Sequence, residues 1–199
     1  MKVKIKKEGK SKEFNLINSW TDVTLESWLK LIDFSEGTKT EEATNTIAEL
    51  SNIPNQLIKE LQLADVAFIM NKVGELQAKQ DTTLKRLIEI NGVEYGFHPD
   101  LDSITLGEYA DIEQLIKNGI DNSLAELMAV LYRPIKEKKN DIYIIDAYDG
   151  DIRMRAEEMK QMSAEQVQSA LLFFYNFVKE LLAILESYSI LKQKEMKMQ

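Results

Sequence analysis

Few residues in this chain have a type and spacing that could do chemistry. His98 is the single histidine; it precedes Pro99 at the end of a predicted hairpin, with no serine nearby in a nucleophile motif. One histidine and no cysteine leave the usual zinc sites without ligands and rule out a thiolate nucleophile. Asp146, Asp149 and Asp151 surround Gly150 and offer the oxygen ligands a hard cation takes. Their spacing departs from the calcium-loop pattern and its closing glutamate is missing, so they read as a turn of solvated aspartates. Asp100, Asp102, Glu108, Asp111 and Glu113 are close in sequence but spread over helix caps and faces, where the helix dipole favours acids at amino ends.

Gly9-Lys10-Ser11 carries the last three letters of a phosphate loop, but Lys4 stands where the leading glycine belongs and a strand is expected to follow. A hairpin turn is the better description. No dinucleotide fingerprint occurs. Arg133, inside the apolar run Leu131-Tyr132-Arg133-Pro134-Ile135, is expected to form an ion pair with a buried carboxylate from another segment or another chain. The sequence thus assigns no catalytic, cofactor-binding or metal-ligating residue, and it singles out no partner-binding residue.

The composition bounds the class. In 199 residues, 44% hydrophobic and 29% charged, there is enough apolar material for a proper core. Lys and Arg total 25 against 33 Asp and Glu, and the formal charge of −8 disfavours a non-specific grip on nucleic acid as partner. The opening Met1-Lys2-Val3-Lys4-Ile5-Lys6-Lys7 alternates charge with apolar side chains and lacks the apolar run of a signal peptide, as expected of an edge strand in a cytoplasmic protein.

Two hairpins are expected. The first joins strands over residues 2–6 and 13–17 through a turn at Glu8-Gly9-Lys10-Ser11. The second joins residues 86–90 to 93–97 through Asn91-Gly92, whose residues tolerate positive φ. A shift of 81 positions lays Glu13-Phe14 on Glu94-Tyr95, Val23-Thr24-Leu25 on Ile104-Thr105-Leu106, Trp28 on Tyr109, and Leu50 on Leu131. Strand, cap and helix landmarks agree without a gap, which predicts a divergent tandem repeat.

Thr24 and Thr105 are expected helix caps, the latter boxed by Glu108, with Trp28 and Tyr109 pointing inward. Further helices are expected over 40–51, over 55–61, from a cap at Asp65 to about Lys79 with Phe68, Ile69, Val73 and Leu76 inward, and from Ser123, boxed by Glu126, to Tyr132. Pro54 and Pro134 then stop the helices before them. Residues 136–140 read as a charged surface loop, 142–145 as a strand and 151–162 as a short helix.

The most apolar element spans residues 163–191. Its stripe of Val167, Leu171, Phe174, Val178, Leu181 and Leu185 is widened by Leu172, Phe173, Phe177, Leu182 and Ile184, so it needs cover on most sides. Asn176, Lys179 and Glu180 interrupt it, which argues against a membrane span. Ser163 and Gln166 form its expected capping box. The fold expected is α+β, mainly helical. Two hairpin-plus-helices units (1–80 and 81–140) pack around this carboxy-terminal helix, and residues 141–199 complete one core.

Four stretches, Ser19-Trp-Thr-Asp-Val-Thr-Leu25 after the opening hairpin, Leu101-Asp-Ser-Ile-Thr-Leu-Gly-Glu-Tyr109, Leu131-Tyr-Arg-Pro134 and the closing helix with Phe173-Phe174, give the chain an order that resembles small tailed-bacteriophage morphogenesis proteins of the tail assembly chaperone-like kind. These are packing and capping patterns, not catalytic ones. The resemblance implies a non-enzymatic role played through protein–protein contacts in the host cytoplasm during assembly, without a cofactor. Its partners would be other phage structural proteins, with homo-oligomers an option and no membrane. A permanent virion component, at the neck or inside the head, is the alternative within the same biology.

Overall fold

The computed structural model describes residues 1–7, 10–79, 81–140 and 142–179. The protein is α+β and mainly helical, with two small antiparallel sheets.

Strands β1 (Lys2–Lys7) and β2 (Lys10–Asn15) pair with Lys7 opposite Lys10, so Lys10 and Ser11 belong to the strand and not to the expected turn. Val3 and Ile5 face inward and Lys2 and Lys4 outward, the period of a half-buried strand. A 3-10 turn at Trp20–Asp22 leads to α1 (Leu25–Phe34), capped by the Thr24 hydroxyl on Ser27 N at 3.2 Å. Helix α2 (Lys39–Leu50) starts at a capping box between Thr38 and Glu41 that the sequence reading passed over. Pro54 does not merely end it: Pro54 opens the single turn α3 (Asn55–Ile58), shorter than the stretch to residue 61 that was expected.

Helix α4 (Leu63–Gln77) has Gln62 at its cap position, three residues before the expected cap Asp65, and no side-chain bond caps it. Asp65 sits in the first turn instead, where its charge still meets the positive helix end. Ile69 and Val73 are buried as expected, and Leu76 is partly so. Phe68 was expected inside and is 53% exposed.

In the second half, β3 (Leu87–Ile90) and β4 (Val93–Phe97) meet at Asn91 and Gly92, with φ of 51° and 79°. A 3-10 turn at Leu101–Ser103 precedes α5 (Leu106–Lys117). Helix α6 (Leu124–Leu131) is entered through another 3-10 turn, Ile120–Ser123, and Ser123 makes no capping bond, so the box with Glu126 does not form. The chain then passes directly into β5 (Tyr132–Lys139). Pro134 therefore lies inside a strand, opposite Tyr95, while its carbonyl accepts from Asp146 N at 2.9 Å. The charged residues Lys136–Lys139, expected as loop, are the outer end of this strand and pair with β6 (Ile142–Ile145). The sheet order is β3-β4-β5-β6, antiparallel throughout. Helix α7 (Arg153–Met159) packs on α6.

The last described element, α8, occupies residues 164–179 behind the expected box: Gln166 N donates to Ser163 Oγ and Ser163 N to Gln166 Oε1, at 3.2 and 3.0 Å. The remainder of the expected helix, 180–191, lies outside the described residues. Residues 23–25 anchor its start, since Ala164 N donates to Val23 O and Leu25 N to Met162 O, each at 2.7 Å.

Buried side chains form two clusters. One joins the first hairpin to α2, α3 and α4 and includes Ala164; the other joins β3–β5 to α5, α6, α7 and α8, using Val167, Ala170 and Phe174. Trp28 packs against both. Helix α8 is covered on one face only: Leu172, Phe173 and Tyr175 are exposed.

Several features recur 81 positions apart. The turn at Trp20–Asp22 is followed at that distance by the one at Leu101–Ser103, and α1 and α5 begin in register. Ile17 N donates to Leu50 O at 3.0 Å, and His98 N to Leu131 O at 2.7 Å. The isolated bridge of Leu16 with Ser51 has the positions of the Phe97–Tyr132 pair in β4 and β5. Burial differs, however: Leu25 is enclosed where Leu106 is exposed, and Tyr109, expected inside like Trp28, is 42% exposed.

Candidate functional site

Arg133 finds its carboxylate in Glu108. The capping box at the start of α5 fixes one oxygen: Glu108 Oε2 accepts from Thr105 N at 2.7 Å and Thr105 Oγ1 at 2.6 Å. The other oxygen, Oε1, is left to face β4 and β5. Arg133 Nη2 stands 2.7 Å from it and His98 Nε2 3.5 Å. Glu108 is 1% and Arg133 4% exposed, so this is a charge pair removed from water, and His98 is buried with it.

That burial sets the electrostatics. Taking Glu108 out of water pushes its carboxyl up, but the two Thr105 bonds, Arg133 and His98 more than offset this and hold it below the ordinary carboxylate range. For His98 burial dominates and pulls the imidazole below its usual value; Glu108 and Asp100 push against that and Arg133 with it. The imidazole is therefore neutral near pH 7. The Arg133 guanidinium also lies 5.6 Å from the Tyr148 ring centroid, and the Tyr148 hydroxyl donates to Asp111, one turn beyond Glu108 on α5. Burial and that carboxylate raise the Tyr148 hydroxyl strongly. Arg133 Nε and His98 Nδ1 are buried without a hydrogen-bond partner among the described residues.

Beside His98 opens a cleft of about 190 Å³, lined by Arg86, Asp100, Asp102, Phe173 and Phe177 among others. Arg86 lies 5.8 Å from the Phe173 ring centroid, and Phe173 meets Phe97 edge-on at 5.5 Å. Among the described residues that line it there is no serine, threonine or cysteine.

The sequence anticipated Arg133 as half of a buried ion pair and Glu108 as half of a capping box. It did not bring the two together; His98 lies in the loop after β4, as expected, but is enclosed there, which the sequence did not anticipate. The only early signal was Glu108 itself, whose capping role uses a single oxygen. The aspartates around Gly150 remain apart from this cluster: Asp149 accepts from Asp151 N at 3.1 Å and pairs with Arg155 at 3.2 Å. Among the described residues no group of three or more His, Asp or Glu could hold a metal ion.

A second concavity, of about 410 Å³, runs between α2, α3 and the start of α4. Ile47 and Ile58 form its buried floor, Ala43 and Val66 line it, and Leu63 stands 87% exposed at its lip. Among the described residues no helix is long and apolar enough to cross a membrane. Compared with family models, with curated proteins and with solved structures, the chain matches none.

Proposed function

We propose that this protein acts non-enzymatically, by binding other proteins during the assembly of tailed-phage particles, in the manner of a tail assembly chaperone. The observation that carries the binding role is the outer face of α8. Leu172 and Tyr175 are exposed there, with Phe173 at the edge where its ring meets Phe97, while Phe174 and Ala170 behind them are buried. Apolar side chains gathered on one helical face in water mark a surface that a partner covers. The phage setting rests on the resemblance of residues 19–25, 101–109 and 131–134 to morphogenesis proteins. The buried Glu108–Arg133–His98 cluster supports a structural role for the residues nearest to chemistry, since every oxygen of Glu108 is already engaged. Duplication of an ancestral unit belongs to the same reading, supported by the matched bonds at residues 17 and 98.

Particle composition tests the proposal. In particles purified from the phage that carries this sequence, mass spectrometry should find the protein absent, while a tagged copy recovered from infected cells should hold a tail component. Presence at fixed copy number would establish the virion-component alternative, and a lost tail-component contact in wild type would refute the chaperone role.

A further inference from the structure

We propose that the groove between α2, α3 and α4 is a docking site for an amphipathic helix of a partner protein whose apolar stripe is flanked by Asp or Glu. This goes beyond the reading above by naming a second surface and the chemistry of its occupant.

The first argument is the groove's construction. An apolar floor of Ile47 and Ile58 lies beneath partly open walls, and Leu63 projects almost wholly into water. Leaving a leucine exposed forgoes the burial free energy that an inserted helix would recover. Side chains at i, i+3 and i+4 of a helix suit a trough of this kind.

The second argument is the fate of the corresponding positions in the other half of the chain. Ala43, Thr44 and Ile47 lie 81 residues before Leu124, Ala125 and Met128, all three of which are buried. In the second half, then, this face of the helix is covered. In the first half Ala43 and Thr44 are only half-covered and border open space.

The third argument is charge, which selects the partner. Lys39 and Lys59 line the groove on a chain whose formal charge is −8. Lys59 has no ion-pair partner among the described residues, and Lys39 meets Glu42 at 2.7 Å with its side chain 90% exposed. Lys59 is thus the uncompensated cation at this groove, and on an acidic protein it attracts acidic flanks and repels basic ones.

The probes are two synthetic amphipathic peptides sharing one leucine stripe, flanked in one by Glu and in the other by Lys, titrated into the full-length ¹⁵N-labelled protein. The Glu peptide should shift the amides of Ala43, Ile47, Leu63 and Val66. Its affinity should fall about tenfold in Ala43→Arg, whose half-buried position lets the longer chain fill the trough without unfolding it, and about fivefold in the Lys39→Glu/Lys59→Glu variant. Circular dichroism of both variants should match wild type. The proposal is overturned if the amides that shift belong to α8, if both peptides bind alike, if neither binds, or if folded Ala43→Arg binds as well as wild type. It is equally overturned if the protein alone sediments as a dimer that Ala43→Arg dissociates, because a second copy would then be the occupant. The peptides read the groove alone and particle composition reads the phage role, so either can fail without the other.

Discussion

Replacing Arg133 by methionine removes the charge from a site that cannot rehydrate. Glu108, 1% exposed, would keep its two Thr105 bonds on Oε2 and lose the 2.7 Å partner on Oε1. Breaking one side of a buried pair costs about 3–5 kcal/mol, because the remaining charge is left uncompensated. His98, 3.5 Å from the same oxygen, would take up a proton more readily once Arg133 no longer opposes it, which softens the loss and places the expectation at about 3 kcal/mol. For a chain of this length that corresponds to a fall of roughly 6–12 °C in melting temperature. Adding Glu108→Gln to Arg133→Met removes the stranded charge while the amide oxygen can still accept from Thr105, so the double variant should regain about half of the loss. Urea denaturation of the wild type, both single variants and the double variant measures the cycle, and an NMR titration of His98 should show its pKa rising in Arg133→Met. A loss under about 1 kcal/mol, or a double variant no more stable than Arg133→Met, would refute the claim that the pair is desolvated and coupled.

Other expectations follow from single positions. Phe174→Asp, in the second core, should leave the protein unfolded or insoluble, since an unpaired buried charge costs several kcal/mol, whereas Tyr175→Asp on the 65% exposed neighbour should melt like wild type. Equal melting of the two would displace α8 from the core. Gly96→Ala should cost about 1–3 kcal/mol by thermal denaturation, because a Cβ there runs into the Tyr143 ring and comes within 2.9 Å of Ile145 Cγ2. An unchanged melting temperature would contradict that close approach. His98 gives a pH dependence: its folded pKa lies below the ordinary 6.5, so the unfolded chain binds more protons as acid is added. Its stabilising contribution is present above about pH 6.5 and declines as pH falls through the interval down to the lowered folded value, a slope that His98→Asn should flatten.

What was legible in the sequence was local. Asn91-Gly92 fixes a hairpin because two successive residues must take positive φ, and Thr105 with Glu108 fixes a helix start because both halves of the box lie within one turn. Misreadings arose where local chemistry fits two states equally well. Lys136-Glu137-Lys138-Lys139 has the composition of a solvated loop, but the exposed end of a hairpin strand has it too; only the pairing with β6 decides, and that depends on residues 142–145. Pro134 reads as a helix stop, but the strand it enters only forgoes one backbone donor there, and its carbonyl still accepts from Asp146 N. Ser123 and Glu126 have the spacing of a box that the preceding 3-10 turn pre-empts.

The ion pair escaped prediction for a related reason. Once Oε2 of Glu108 is assigned to Thr105, the residue looks fully explained, and nothing along the chain says that Oε1 remains free. That oxygen acquires its partners only when α5 lies across β4 and β5, which brings residue 98 in the loop after β4 and residue 133 in β5 to residue 108. The same packing makes His98 a buried residue. A local capping interaction therefore does two tasks: it starts a helix, and it holds a carboxylate at the angle from which a distant arginine can be desolvated without being left unpaired. The Arg133 and Glu108 cycle bears on this coupling directly. If α5 were positioned independently of the sheet, removing Arg133 would leave Glu108 free to turn toward water, and its charge would carry little penalty.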